Sequence, residues 1–241
     1  MTRKRRNNDS GMNKTTIHIA ILALTALILS PVQAANNHVW LKQSVEWNFL
    51  SIDDSNTLCV KVEPEEKFDE HRFYLSETLA MFGWKLKPYF GMCIGNRWAY
   101  ERSGGKGKLR AEQRPTLDLC LAFPEFYTLK FDFRSRFEYR DKHGSKAYMR
   151  YRERLRLRAS WNVTDFRISP YASEEMFFSD KPGYETRDVF DRSRAQLGVS
   201  FRPVPSWEGV SCNLYYMVQH DLSSRSWTPT NVYGLELSWS F

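Results

Sequence analysis

From about residue 35 onward, apolar and polar positions alternate with a period of two, and no long stretch carries the 3.6-residue repeat of an amphipathic helix. The pattern is clearest in 129–140. There Leu129, Phe131, Phe133, Phe137 and Tyr139 interleave with Lys130, Asp132, Arg134, Arg136, Glu138 and Arg140. Successive side chains of a strand point to opposite faces, so the aromatics share one face and the charges the other. The next segment repeats the arrangement: Met149, Tyr151, Leu155, Leu157, Ala159 and Trp161 oppose Arg150, Arg152, Arg154, Arg156 and Arg158. Ala195, Leu197, Val199 and Phe201 likewise oppose Arg192, Arg194, Gln196, Ser200 and Arg202. At the end of the chain, Tyr233, Leu235, Leu237, Trp239 and Phe241 oppose Gly234, Glu236, Ser238 and Ser240.

Such segments number about ten, near 38–50, 71–82, 84–95, 114–123, 128–140, 147–160, 165–178, 190–203, 208–221 and 230–241, each close to the length of a tilted membrane strand. Long connections (51–70, 96–113, 179–189, 222–229, with a shorter 141–146) alternate with short ones at Gly83, 124–127, 161–164 and 204–207. The expectation is an all-β chain forming an antiparallel up-and-down transmembrane barrel of about ten strands (8–12). The strand number should be even, both termini should lie on the inner side, and the longer loops should lie outside. A soluble sandwich or lipocalin-like barrel also alternates, but its apolar face points inward. Five arginines on one strand face are costly in such a core and natural in a water-accessible lumen. By the same parity Glu77, Glu153 and Glu174 fall on the lipid face, which implies either an interfacial position or a register-shifting bulge, the bulge being favoured for 165–178.

Composition sharpens this picture. The 241 residues include 12 Tyr, 16 Phe and 8 Trp, yet mean hydropathy is −0.55 and the formal charge is +7. These values exclude a disordered acidic tail and a helical multispanning transporter. The basic run Arg3-Lys4-Arg5-Arg6, the apolar stretch Ile17 to Val32 and the small-residue end Val32-Gln33-Ala34 match a cleaved secretory leader over 1–34, with Met12 as an alternative start. Residues 35–241 then form a single barrel domain. Without the leader, 30 Lys and Arg face 27 Asp and Glu, a balance of +3, so a nucleic-acid partner is poorly motivated. The four cysteines, Cys59, Cys93, Cys120 and Cys212, lack metal-type spacing and allow zero or one disulfide of open pairing.

Several strings together resemble a known family: Phe131-Asp132-Phe133-Arg134-Ser135-Arg136-Phe137-Glu138, Tyr151-Arg152-Glu153-Arg154-Leu155-Arg156, Ser173-Glu174-Glu175-Met176-Phe177-Phe178, Phe190-Asp191-Arg192-Ser193-Arg194 with Gly198, and Tyr216-Met217-Val218-Gln219. Over roughly residues 36–241 the chain resembles the bacterial family called domain of unknown function 2490. The resemblance implies an outer-membrane β-barrel of Gram-negative bacteria with no established activity and no assigned catalytic residues.

Candidate chemistry is sparse. His143-Gly144-Ser145 and His220-Asp221 with Ser223 and Ser224 place histidines beside serines, but sequence adjacency does not make a triad. His38, His71, His143 and His220 lack metal-ligand spacing, and Gly104-Gly105-Lys106-Gly107 lacks the strand-loop-helix setting of a phosphate loop. No catalytic, metal or cofactor residue is therefore assigned. The informative cluster is Arg134, Arg136, Arg150, Arg152, Arg154, Arg156, Arg158, Arg192 and Arg194, with Asp132, Glu138 and Glu236 as partners. It reads either as a salt-bridged plug or as a weakly anion-selective constriction. The expected partners are outer-membrane lipid and lipopolysaccharide, with Tyr233, Leu235, Leu237, Trp239 and Phe241 as the insertion signal read by the barrel-insertion machinery. A monomer is expected. The main reading is a non-enzymatic barrel; the alternatives are a lipid-modifying enzyme working at the outer strand ends and a soluble periplasmic β-protein.

Overall fold

A computed structural model describes residues 37–52, 56–69, 72–86, 89–102, 109–163, 166–180, 189–202, 209–223 and 226–241. The leader, His71 and Gly104 to Gly107 lie outside these residues. Twelve strands follow in order: β1 (Asn37–Ser51), β2 (Asn56–Asp69), β3 (Arg72–Leu86), β4 (Phe90–Arg102), β5 (Leu109–Ala122), β6 (Leu129–Lys142), β7 (Tyr148–Ala159), β8 (Trp161–Val163), β9 (Phe166–Ser179), β10 (Phe190–Phe201), β11 (Val210–Ser223) and β12 (Ser226–Ser240). The three-residue β8 pairs only with the start of β9. The other eleven close into a barrel in which each strand pairs antiparallel with its chain neighbour, and β1 pairs parallel with β12 from Asn37↔Asn231 to Glu46↔Ser240.

The strand number is odd, where an even number is expected. An up-and-down wall of eleven strands runs its first and last members in the same direction, so closure has to be parallel. Consequently the start of β1 and the end of β12 lie at opposite ends of the barrel, here called the Asn37 end and the Phe241 end. The additional strand is β2, which occupies most of the expected 51–70 loop. Its Pro64 sits in a gap of the β1–β2 ladder between the pairs Lys42↔Glu65 and Val45↔Val62, where a missing amide hydrogen breaks no assigned pair. The expected long loops at 96–113 and 222–229 also shrink, because β4 reaches Arg102, β5 starts at Leu109, β11 reaches Ser223 and β12 starts at Ser226. Loop length therefore does not separate one side of the barrel from the other.

The distribution of polarity is inverted relative to a soluble barrel. Outward positions carry exposed Leu41, Trp47, Ile94, Leu155 and Leu197, whereas Glu77, Glu112, Arg136 and Glu138 are buried inside. Aromatic rings gather on the outer face near each end. Toward the Asn37 end, Phe137, Tyr151, Phe178, Phe190 and Trp227 form a chain of ring contacts with centroids 4.8, 6.1, 5.5 and 5.2 Å apart. Toward the Phe241 end, Phe49 touches both Trp47 and Phe82, and Trp84 touches Phe90. Two such girdles flanking an apolar band are the surface a membrane barrel presents to lipid.

Parity succeeds for Glu153 and Glu174, which face outward, and fails for Glu77. The inward row of β3 is Leu75, Glu77, Leu79 and Met81, all buried. No bulge accompanies the outward carboxylates: β7 and β9 pair without interruption from Arg150↔Ser179 to Arg158↔Tyr171. The register shift lies instead at the start of β10, between Phe190 and Arg192.

Candidate functional site

The lumen is the candidate site, and its chemistry follows from strand register. Every second residue of β5, β6, β7 and β9 points inward, and pairing sets opposite charges beside one another: Asp118↔Arg136↔Arg152 in one row and Glu138↔Arg150 in the next. Glu138, fully buried, accepts hydrogen bonds from Arg150 Nε at 2.8 Å and Arg152 Nη1 at 2.8 Å. Asp118 takes Arg136 in a two-pronged clamp at 2.5 and 2.6 Å. Glu77 accepts from Lys67 at 3.0 Å, from Arg114 at 2.9 Å and from Arg97. Glu112 joins Arg114 at 3.0 Å to Arg140 at 2.8 Å. Forked guanidinium–carboxylate bonds of this kind are among the strongest neutralising contacts a buried charge can make.

Aromatic groups close what the charges leave open. Phe177, on the inward face of β9, is completely buried, and the guanidiniums of Arg194, Arg152, Arg150 and Arg192 stand 4.6, 4.7, 5.3 and 5.5 Å from its ring centre. Cations attracted to a desolvated ring face hold it in the middle of the network. Along the neighbouring wall, one register row reads Tyr171, Gly198, Tyr215, Gly234, Trp40. Each tyrosine lies down over a glycine: a Cβ at Gly234 would meet Tyr215 Cζ at 1.9 Å, and one at Gly198 would meet Tyr171 Cζ at 2.6 Å. The glycines permit a close approach that any side chain would block. Trp40, Tyr171 and Tyr215 with Met217 and Val232 form a small buried apolar shelf inside the polar lumen.

Toward the Phe241 end the balance changes. Arg154, Arg156 and Arg158 share one carboxylate, Asp132, at 3.8, 3.9 and 3.0 Å. Only the Arg158 contact is a hydrogen bond. Arg154 faces Glu175 in register, yet Glu175 bonds Arg134 at 2.7 Å and Arg152 at 2.9 Å and pairs with Arg194 at 3.4 Å. A cavity of about 300 Å³ runs along the lumen, its walls reaching from His38 and Arg140 to Arg154, Arg156, Ser173 and Asn213.

Residues 37–228 match the family model described as protein of unknown function, DUF2490. The chain belongs to that family. No curated protein matches it. Among solved structures, LpxR from Salmonella typhimurium is similar with 9% identity and a TM-score of 0.45, the alignment covering 77% of this chain and 83% of that one.

In this DUF2490 barrel the nine arginines singled out from the sequence all line the lumen. They do not behave alike: Arg136 and Arg150 each hold a carboxylate through two nitrogens and Arg152 bonds Glu138 and Glu175, whereas Arg154 and Arg156 hydrogen-bond no carboxylate among the described residues. Of the expected partners, Asp132 and Glu138 contact the cluster, but Glu236 pairs with Lys42 at 3.2 Å instead. Glu175, Asp118, Glu77 and Glu112 were not anticipated, although alternation alone places Glu175 opposite the outward Glu174. Tyr233, Leu235, Leu237 and Trp239 share the outer face of β12, and Phe241 lies just past it, its amide bonded to the Glu46 carbonyl at 3.0 Å. His143 is an exposed turn residue. His220 faces outward while Asp221 faces the lumen and binds Arg192 at 2.5 Å, so these two neighbours in sequence share no site. All four cysteines are free thiols, and among the described residues no group of three or more His, Cys, Asp or Glu is arranged to hold a metal.

Proposed function

We propose that this barrel resides in the outer membrane of a Gram-negative bacterium and is a non-enzymatic protein whose lumen is closed to ion flow. The observation that carries the reading is the centre of the lumen, where Phe177 is enclosed by four arginines whose charges are bound in turn by Glu138, Glu175 and Asp221. A wide barrel that conducts keeps a water-filled bore, and here mutually bonded side chains around Phe177 narrow the bore to a cavity of about 300 Å³. Refolded protein in a planar lipid bilayer is expected to give no current steps under an applied potential; steady ohmic steps would overturn the closed lumen. Fractionation of cells, with heat-modifiable migration in detergent, tests the location. Recovery in the soluble periplasmic fraction would support a soluble β-protein instead, against which the apolar outer face and its two girdles speak.

A second, enzymatic reading has one observation in its favour. Ser193 and His220 are direct partners in the β10–β11 ladder and both face outward, two residues along from the row of Glu174. Under this reading the pair would act on lipid acyl chains at the membrane surface. Incubation with phospholipid and lipopolysaccharide would show loss of an acyl chain that disappears in His220→Ala; intact lipids remove this reading.

A further inference from the structure

Arg154 and Arg156 stand two residues apart on the inward face of β7, and their guanidiniums make no hydrogen bond among the described residues. Their Nε atoms, like those of Arg134, Arg152 and Arg158, are sealed from solvent without a partner, but here the Nη atoms lack one as well. Their side chains nevertheless keep 20% and 25% of their surface open, so the outer ends of the guanidiniums look into the cavity. Leaving buried guanidinium donors unmatched is costly, and natural lumens of this kind pair such groups. Of the two carboxylates beside them, Asp132 already bonds Arg158, and Glu175, the register partner of Arg154, already bonds Arg134, Arg152 and Arg194, so cations outnumber carboxylates here.

We propose that this part of the lumen is a binding site for a phosphate group, held between the guanidiniums of Arg154 and Arg156. This deepens the reading of the lumen given above and rests on it. Two forked donors converging from one strand face suit a dianionic tetrahedral group, which can accept from both, better than a single carboxylate. Arg156 is held in place by Tyr171, whose ring centre lies 5.2 Å from its guanidinium carbon. On the adjoining strands Ser173, the register partner of Arg156, donates to Gln196 at 3.5 Å and Gln196 donates to Tyr171 at 2.9 Å, so the wall beside the two arginines is polar and uncharged. The cavity of about 300 Å³ runs along the lumen from His38 and Arg140 to Arg156 and Asn213, and the stretch beside Arg154 and Arg156 is a fraction of it, room for a free phosphate, a small phosphate ester or a single lipid headgroup. It does not fit a polymer.

The test is calorimetric titration of the refolded full chain, in a phosphate-free detergent at low ionic strength, with inorganic phosphate. Saturable binding is expected that is weakened at least tenfold in Arg154→Ala with Arg156→Ala and unchanged in Lys142→Ala, a cation away from the site. Should the double alanine variant fail to fold, the double lysine variant serves, since it keeps the charge and loses the fork; it is expected to bind measurably more weakly than the parent. The two sources of phosphate separate in a second arm. Cys120 follows Arg134 and Arg154 in the same register row, so its rate of modification by an anionic thiol reagent reports occupancy. Protection by inorganic phosphate assigns a soluble ligand, and protection only by vesicles containing phosphatidic acid, compared with phosphatidylcholine alone, assigns a headgroup. Absence of both binding and protection overturns the proposal. A silent bilayer recording with no phosphate binding would sink the site and leave the closed lumen standing, while current steps with phosphate binding would do the reverse.

Discussion

Arg150 and Arg156 lie on one face of one strand, six positions apart, and differ in everything except residue type. Arg150 is buried against Phe177 and bonded twice by Glu138, whereas the guanidinium of Arg156 makes no hydrogen bond among the described residues and stands 3.9 Å from Asp132. An arginine-rich strand is therefore neither a plug nor an anion attractor as a whole. Each position takes its role from the carboxylate that the adjoining strands bring into its row, and β7 passes from one regime to the other along its length.

The sharpest way to break this comparison is to remove a carboxylate from the saturated half. Glu138→Ala strands the guanidiniums of Arg150 and Arg152 in a closed environment, and loss of one partner of a buried ion pair typically costs about 3–5 kcal/mol. The denaturant midpoint of the refolded barrel in detergent should fall accordingly. A loss under about 1 kcal/mol would mean that water reaches these groups and that the two halves are alike.

Next in size is the aromatic shelf. Gly234→Ala drives a methyl group into the Tyr215 ring, and overpacking of this kind costs about 1–3 kcal/mol. Adding Tyr215→Ala should return part of the loss, because the obstacle is the ring itself; equal destabilisation in the single and double variants would contradict the stacked row.

The unsaturated half should respond with the opposite sign. Arg154→Ala removes a cation whose guanidinium has no hydrogen bond among the described residues and lies between Arg134 and Arg156 on one side and Asp132 and the already bonded Glu175 on the other, so relief of repulsion offsets lost packing. The expected change is within about 1 kcal/mol of zero, on the stabilising side. A loss comparable to that of Glu138→Ala would show that Arg154 has a partner of equal strength.

How far this contrast could be read from the chain depends on the strand. β6 and β7 were legible because only Ser135 and Glu153 interrupt the apolar side of their alternation, which placed seven of the nine arginines in the lumen; Arg192 and Arg194 follow from the alternation of β10. β2 was not, since Pro64 and the run from Glu63 to Glu66 carry the signature of a loop. Missing that one strand changed the parity of the barrel and the position of the termini, whereas Glu77 was misread because the inward row it shares on β3, Leu75, Leu79 and Met81, is apolar. The ion-pair pattern was less accessible still. Sequence puts Glu175 in the lumen once its strand is trusted, but only the assembled wall shows it bonded to Arg134, Arg152 and Arg194 while its direct register partner Arg154 goes without. Long, flexible arginines reach diagonally, and a nearest-neighbour rule does not capture that reach.

The smallest expected effect sharpens the comparison from outside the wall's interior. Lys142 Nζ bonds Glu101 at 2.5 Å near the Asn37 end, where the two side chains keep 25% and 37% of their surface exposed. This pair has the same chemistry as the buried network but sits beside solvent, which screens it and competes for its hydrogen bonds. Lys142→Ala should therefore cost no more than about 0.2–1 kcal/mol, and raising the salt concentration toward 1 M should erase even that. Glu138→Ala, its carboxylate fully enclosed, should keep most of its effect at the same salt. If both variants lose their effect together, solvent accounts for the whole lumen, and the distinction between the halves of β7 would have to come from something other than burial.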